Sequence, residues 1–168
     1  MSKAFLREDD LGEVALIHRP IPSLAPGEKN YITPAGAHRL REALAELKHE
    51  RAGLAVPPIA ADTRRELQEI DERIHYLEES LRTAEIVRVP ERPWNVVRFG
   101  AIVLVRDSDG VQSQYRIGGV DEADLSQDCV SWRSPIARAL LHAKVGARVP
   151  FEFPGGKTHL EIVSIKYD

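Results

Sequence analysis

Two apolar seams, each stepping three and four residues at a time and parted by a pair of adjacent prolines, constrain this chain more than any other feature. The first seam runs Ala37, Leu40, Leu44, Leu47 and Leu54, with Arg51 as its charged interruption; the second runs Leu67, Ile70, Ile74, Leu77, Leu81 and Ala84. Such spacing lays one narrow stripe along a helix, suited to a single partner helix rather than to a broad core. Pro57 and Pro58 must end the first helix, because proline lacks the amide donor and its ring crowds the preceding turn. Thr33 before Pro34 offers a capping hydroxyl and a first-turn proline, so Tyr31-Ile32-Thr33-Pro34 reads as a helix start. A second helix opens near Ile59 to Asp62. With so short a link, the two helices are expected to fold back as an antiparallel hairpin over residues 31–87.

The polar faces of that pair carry Glu66, Glu69, Glu72, Glu78 and Glu79 among Arg65, Arg73 and Arg82. These are read as solvated helix surfaces with i,i+4 pairing, worth about 0.2–0.5 kcal/mol a pair. Residues 1–30 hold Pro20, Pro22, Pro26 and Gly27 and show neither helical nor strand period. They are expected to form a flexible arm, able to lie on the surface through Phe5, Leu6, Val14 and Ile17. Residues 88–96, with Pro90 and Pro93, read as a linker. Residues 97–168 are β-rich. Phe99 to Arg106 and the alternating Gln112 to Ile117 flank the turn Asp107-Ser108-Asp109-Gly110, and Val130 to Trp132 form another strand. Ser134-Pro135 starts a short helix through Leu141, and a second hairpin joins Val149–Phe153 to Leu160–Ile165. The fold class expected is α+β.

Charge and cysteine narrow the function. The net charge of −3 argues against stable unaided binding to DNA, which draws on a surplus of Lys and Arg facing phosphates, so a protein partner is expected. The single cysteine, Cys129, excludes an internal disulfide and reads as a buried structural thiol. No apolar run is long enough to span a membrane and no signal-peptide core precedes residue 10, so a cytoplasmic protein without a membrane partner is expected.

Several segments, in order and spacing, resemble the GreA/GreB family of transcription elongation factors. Tyr31-Ile32-Thr33-Pro34-Ala35-Gly36 with Leu40 and Leu44 is similar to that family's opening helix, and Arg65 to Leu81 to the returning helix of its GreB branch. The third part carries Phe99-Gly100-Ala101, Tyr115-Arg116-Ile117, Gly119-Val120-Asp121-Glu122, Ser134-Pro135-Ile136-Ala137-Arg138-Ala139-Leu140 and Val145-Gly146. The resemblance covers residues 31–168. It implies an N-terminal coiled-coil prong and a C-terminal FKBP-like domain that binds the core of RNA polymerase. It also implies that the prong enters the polymerase's secondary channel, where two tip acids help hold a catalytic Mg²⁺.

One departure bears on mechanism. The family's acidic tip, Asp-Leu-Ser-Glu-Asn-Ala-Glu-Tyr, is absent, and residues 49–62 stand in its place. Set against the family, the hairpin is shorter by about seven residues per arm, which leaves its tip roughly 10 Å short at about 1.5 Å per residue. Mg²⁺ needs oxygen ligands at about 2.0–2.1 Å, so side-chain flexibility does not close that gap. Glu50 and Asp62 are the acids left near the turn, and they read as surface or capping residues. The tip is assigned to Leu54, Pro57, Pro58, Ile59 and Asp62, with no metal ligand and no catalytic residue. Docking is what remains. The resemblance places it on Ser131, Trp132, Arg133, Ser134 and Pro135, with Ile136 and Arg138 close by, at the rim of the channel. Arg133 departs from the acidic residue of the GreB pattern, and Trp132 reads either as a core aromatic or as an interface anchor.

The expectation is a monomeric, non-enzymatic polymerase-binding regulator with no cofactor. Alternatives are a divergent cleavage factor using Glu50 or Asp62, an Rnk-like regulator, and a prolyl isomerase. For the last, the aromatics available are Phe99, Tyr115, Trp132, Phe151, Phe153 and Tyr167. The six histidines lack metal-ligand spacing, and Gly155-Gly156-Lys157 is a fragment without the full phosphate-loop pattern.

Overall fold

The computed structural model describes residues 24–25 and 27–168. The arm expected over residues 1–30, with Phe5, Leu6, Val14, Ile17, Pro20, Pro22 and Pro26, lies almost wholly outside them. Along the described chain come β1 (Asn30–Ile32), α1 (Pro34–Leu54), α2 (Ala61–Thr83), β2 (Ala84–Ile86), β3 (Ile102–Arg106), β4 (Gln112–Gly118), α3 (Val120–Leu125), β5 (Cys129–Ser131), α4 (Pro135–Leu140), β6 (Arg148–Phe153) and β7 (Gly156–Lys166). The class is α+β.

Helix α1 begins where its cap residues require. Thr33 is extended, its Oγ1 accepts from Gly36 N at 2.9 Å, and Pro34 fills the first helical position. Lys48 pairs with Glu78 at 2.6 Å and Arg51 with Asp71, so α1 and α2 run in opposite directions. Ile32, Ala37, Leu40 and Leu77 are buried together, with Ala43, Leu44, Leu47, Tyr76 and Leu81 packed around them. Burial fades along the pair: Leu54 and Leu67, near the link, are only half-buried. There each helix has only the other to cover it, whereas at the opposite end a third element closes over the seam. Arg51 breaks the apolar spacing because it spans the two helices. Its Nε and Nη2 both donate to the Asp71 carboxylate, which this bond holds below the usual carboxylate range.

Two short strands bracket α1 and α2 within the span expected as the helical hairpin. Tyr31 and Ile32 belong to β1, and Ala84, the last seam position, opens β2; the two strands pair in parallel, Asn30 opposite Ala84 and Ile32 opposite Ile86. Val87 N donates to Ile32 O at 2.9 Å, so this ribbon satisfies amides that a longer helix would have satisfied internally. Asn30 is also fixed rather than loose. It is buried, and its Nδ2 donates to Ser80 O at 3.0 Å.

The second half is a mixed sheet in the order β5-β4-β3-β7-β6, parallel between β4 and β5 and antiparallel elsewhere. Val103 and Val105 of β3 point into a core with Val97, Ala101, Ile117, Ala137, Leu140 and Ile162, while their neighbours in the strand are half exposed. At the β3–β4 turn the Asp107 carboxylate accepts from Asp109 N and Val111 N, both at 2.9 Å, and Gly110 takes the left-handed conformation at φ +83°. Residues 88–96 are fastened to this half. Trp94 packs on Tyr167 with ring centroids 5.4 Å apart, and its Nε1 donates to Pro90 O at 2.9 Å. Cys129 is a buried free thiol, as expected; burial first, then the charge of Glu122, pushes it up to about 12.

Candidate functional site

The loop from Ser131 to Pro135 is tightly held by its own backbone. Ser134 N donates to Ser131 O at 2.8 Å, Arg133 N to Ser131 Oγ at 3.2 Å, and Trp132 N to Gly118 O at 2.9 Å. Ser134 then caps α4, its Oγ accepting from Ala137 N at 3.2 Å, with Pro135 at the first helical position. The outward side of this corner is made by Pro135 and Arg138, both exposed, and by the half-buried Ser131, Arg133 and Ser134. Ile136 does not belong to that surface. It is buried in the core of the sheet domain, because position two of so short a capped helix faces inward when Pro135 faces out.

Two aromatic and ionic contacts tie the loop to the segment before α1. Trp132 is half-buried against the core, and its ring meets Tyr31 edge-on at 5.8 Å. Its Nε1 is buried and has no hydrogen-bond partner among the described residues. Arg133 Nη1 lies 3.0 Å from Glu28 Oε2. The Arg133 charge is thus met by a carboxylate of this chain.

Helix α3 was not anticipated, and it forms the joint between the helix pair and the sheet domain. Glu122, fully buried, accepts from Thr33 N at 3.0 Å, from Thr33 Oγ1 at 2.5 Å and from Gly119 N at 2.7 Å. Arg39 Nη2 stands 3.5 Å from the same carboxylate, in ion-pair range though without a hydrogen bond. Asp121 accepts from the hydroxyls of Tyr76 and Ser80, and Asp124 pairs with Arg73 at 2.5 Å. Burial and the bond to Asp121 hold the Tyr76 phenol well above its ordinary range. One six-residue helix thus grips both α1 and α2. Its signal lay in Gly36, where a Cβ would fall 2.0 Å from Glu122 Oε1: only glycine lets α1 approach the carboxylate.

At the far end, α1 stops at Leu54 and α2 starts at Ala61, so Pro57, Pro58 and Ile59 form the link and Asp62 sits in the first turn of α2. Asp62 and Glu50 are both exposed. No group of three or more His, Cys, Asp or Glu among the described residues is placed to hold a metal ion.

Residues 92–167 match the family model described as "Transcription elongation factor, GreA/GreB, C-term". The chain is 35% identical over 154 residues to the GreB of Neisseria meningitidis serogroup A, covering 83% of this chain and 94% of that protein. The GreB of Pseudomonas aeruginosa is 35% identical over 150 residues, covering 81% and 89%. The chain belongs to the GreA/GreB family of transcription elongation factors. The GreA of Halorhodospira halophila is similar at 36% identity over 155 residues, covering 82% of this chain and 97% of that one. Among solved structures, the GreA/GreB factor of Nitrosomonas europaea is 26% identical with a TM-score of 0.42, covering 83% of this chain and all of that one. The Ser131–Arg138 corner and α3 both lie within the segment matched by the GreA/GreB model, whereas α1 and α2 lie before it. No helix among the described residues of this GreA/GreB chain is long and apolar enough to cross a membrane.

Proposed function

We propose that this GreA/GreB chain is a monomeric, cytoplasmic regulator that binds core RNA polymerase through its C-terminal domain and extends its helix pair, as a coiled-coil prong, into the secondary channel without stimulating transcript cleavage. It is not itself an enzyme, and its FKBP-like sheet domain serves as a docking body. Family membership supports the partner. The exposed face of Ser131, Arg133, Ser134, Pro135 and Arg138 supports the docking corner, since it is preorganised by four backbone and capping hydrogen bonds and so loses little entropy on binding.

The observation that carries the reading is the tip. Residues 52–61 contain no acid, the flanking Glu50 and Asp62 are exposed on helix turns, and neither belongs to a group of three or more His, Cys, Asp or Glu among the described residues that could hold a metal ion. A metal bound jointly by a partner enzyme and this tip would need oxygens held at about 2.0–2.1 Å, which one exposed surface carboxylate supplies poorly. Occupancy of the channel without carboxylates makes the chain a competitor of cleavage-active relatives.

A halted, backtracked elongation complex tests this. The chain is expected to add nothing to the slow cleavage by polymerase alone, and to suppress the cleavage brought about by an added acidic-tip GreB in proportion to its concentration. Short RNA fragments released by this chain, and lost in Asp62→Asn or Glu50→Gln, would make it a divergent cleavage factor instead.

A further inference from the structure

The link between α1 and α2 is chemically unlike the helices that carry it. From Ala52 to Ala61 no side chain bears a charge or a hydrogen-bonding group, whereas 29% of the whole chain is charged. Val56 is 65% exposed, the most exposed large hydrophobic side chain among the described residues, and Pro57 and Pro58 beside it are exposed too. Helix α1 has 21 residues, which at about 1.5 Å per residue carries this apolar cap roughly 30 Å from the joint with the sheet domain. No described part of the chain reaches back to cover it. The shaft just below is braced across by the two-pronged Arg51–Asp71 pair, so the cap is presented on a stiff support.

We infer that this cap is an apolar anchor that seats in a dry, uncharged pocket on a protein wall of the polymerase channel. The inference rests on the docking reading above and adds what the tip touches. Charge decides the occupant. A phosphate or metal partner would need cations or acids at the tip, and residues 52–61 have neither. Around the cap stand Lys48, Arg51, Arg64 and Arg65 against Glu50, Asp62 and Glu66, a mixed ring rather than the basic one that an anionic membrane surface selects. An apolar centre inside a mixed polar rim is the composition of a protein–protein contact. Size excludes a second copy as the main occupant: a stable dimer buries about 800 Å² per partner, far more than the six residues between the helices can offer. The cap is a secondary contact, effective because the sheet domain docks first.

The test uses the full chain and core RNA polymerase, with affinity read for the wild type, Val56→Asp, Ile59→Asp and Val111→Asp. Residue 56 lies outside both helices, so its substitution leaves helix content by circular dichroism unchanged. Val56→Asp is expected to weaken binding about tenfold or more, as loss of a buried anchor does. Val111→Asp, on the exposed β3–β4 turn, is expected to bind as the wild type does. A photo-crosslinker at position 56 is expected to capture a polymerase subunit. Equal affinity of wild type and Val56→Asp would overturn the anchor while leaving docking intact. Failure of the wild type to bind would overturn docking itself. Flotation of the wild type with phosphatidylglycerol vesicles, or a dimer that Val56→Asp dissolves, would replace the polymerase pocket with that occupant.

Discussion

Replacing Gly36 with alanine would ordinarily help a helix, by about 1 kcal/mol in an interior position. Here the added Cβ would fall 2.0 Å from Glu122 Oε1, 2.2 Å from its Cδ and 2.4 Å from its Cγ. The Glu122 side chain is fully buried, so it has no free space to swing into, and eviction breaks its bonds to Thr33 N, Thr33 Oγ1 and Gly119 N. Removing one member of a buried charged network costs about 3–5 kcal/mol, so Gly36→Ala is expected to lose a net of about 2–4 kcal/mol. Glu122→Ala alone leaves two amides and Arg39 unpartnered and is expected to cost about 3–5 kcal/mol. In the double variant the clash is gone and the helical gain survives. Gly36→Ala should therefore stabilise the Glu122→Ala background by about 1 kcal/mol while destabilising the wild type, a reversal of sign. Urea unfolding followed at 222 nm reads all four corners of the cycle. Equal effects of Gly36→Ala in both backgrounds would refute the argument that the glycine exists to admit the carboxylate.

Further outcomes follow from single sites. Cys129 is expected to resist iodoacetamide at pH 8 in the native chain and to react fully in urea, read by intact mass; native labelling at the unfolded rate would contradict its burial. Its raised pKa also has a sign: the folded state favours the neutral thiol, so that contribution to stability is complete below the unfolded value of about 8.5 and is lost as pH rises toward 12. Gly53 lies in the last turn of α1, and a Cβ there meets nothing within 4 Å. Gly53→Ala is expected to raise stability by about 0.5–1 kcal/mol in urea unfolding, and a loss would show that the turn needs glycine for another reason.

The helix pair was legible in the sequence because its signals are local. The seam spacing, the Thr33-Pro34 start and the Pro57-Pro58 stop each act within a turn or two, and α1 and α2 fall where those residues put them. The strands of the second half followed likewise from alternation and from the Asp107–Gly110 turn, but not all their ends: β3 begins at Ile102 rather than Phe99, and β7 at Gly156 rather than Leu160. Arg51 could not be understood from its own helix, since its partner Asp71 is on the other one. The β1–β2 ribbon escaped for the same reason: residues 54 positions apart pair there, and neither strand exceeds three residues.

The joint shows most clearly what tertiary structure decided. Asp121, Glu122 and Asp124 lie close together in sequence, two of them are buried, and all three are bonded to α1, α2 or the residues that begin them. Local pattern cannot reveal this, because a carboxylate is buried only when distant donors meet it, and Thr33 is 89 residues from Glu122. Ile136 makes the complementary case, a residue of the docking motif that packing turned into the core. The sequence by itself determined the pieces and their family. Which faces meet, and so which residues remain outside for a partner, was decided by packing alone.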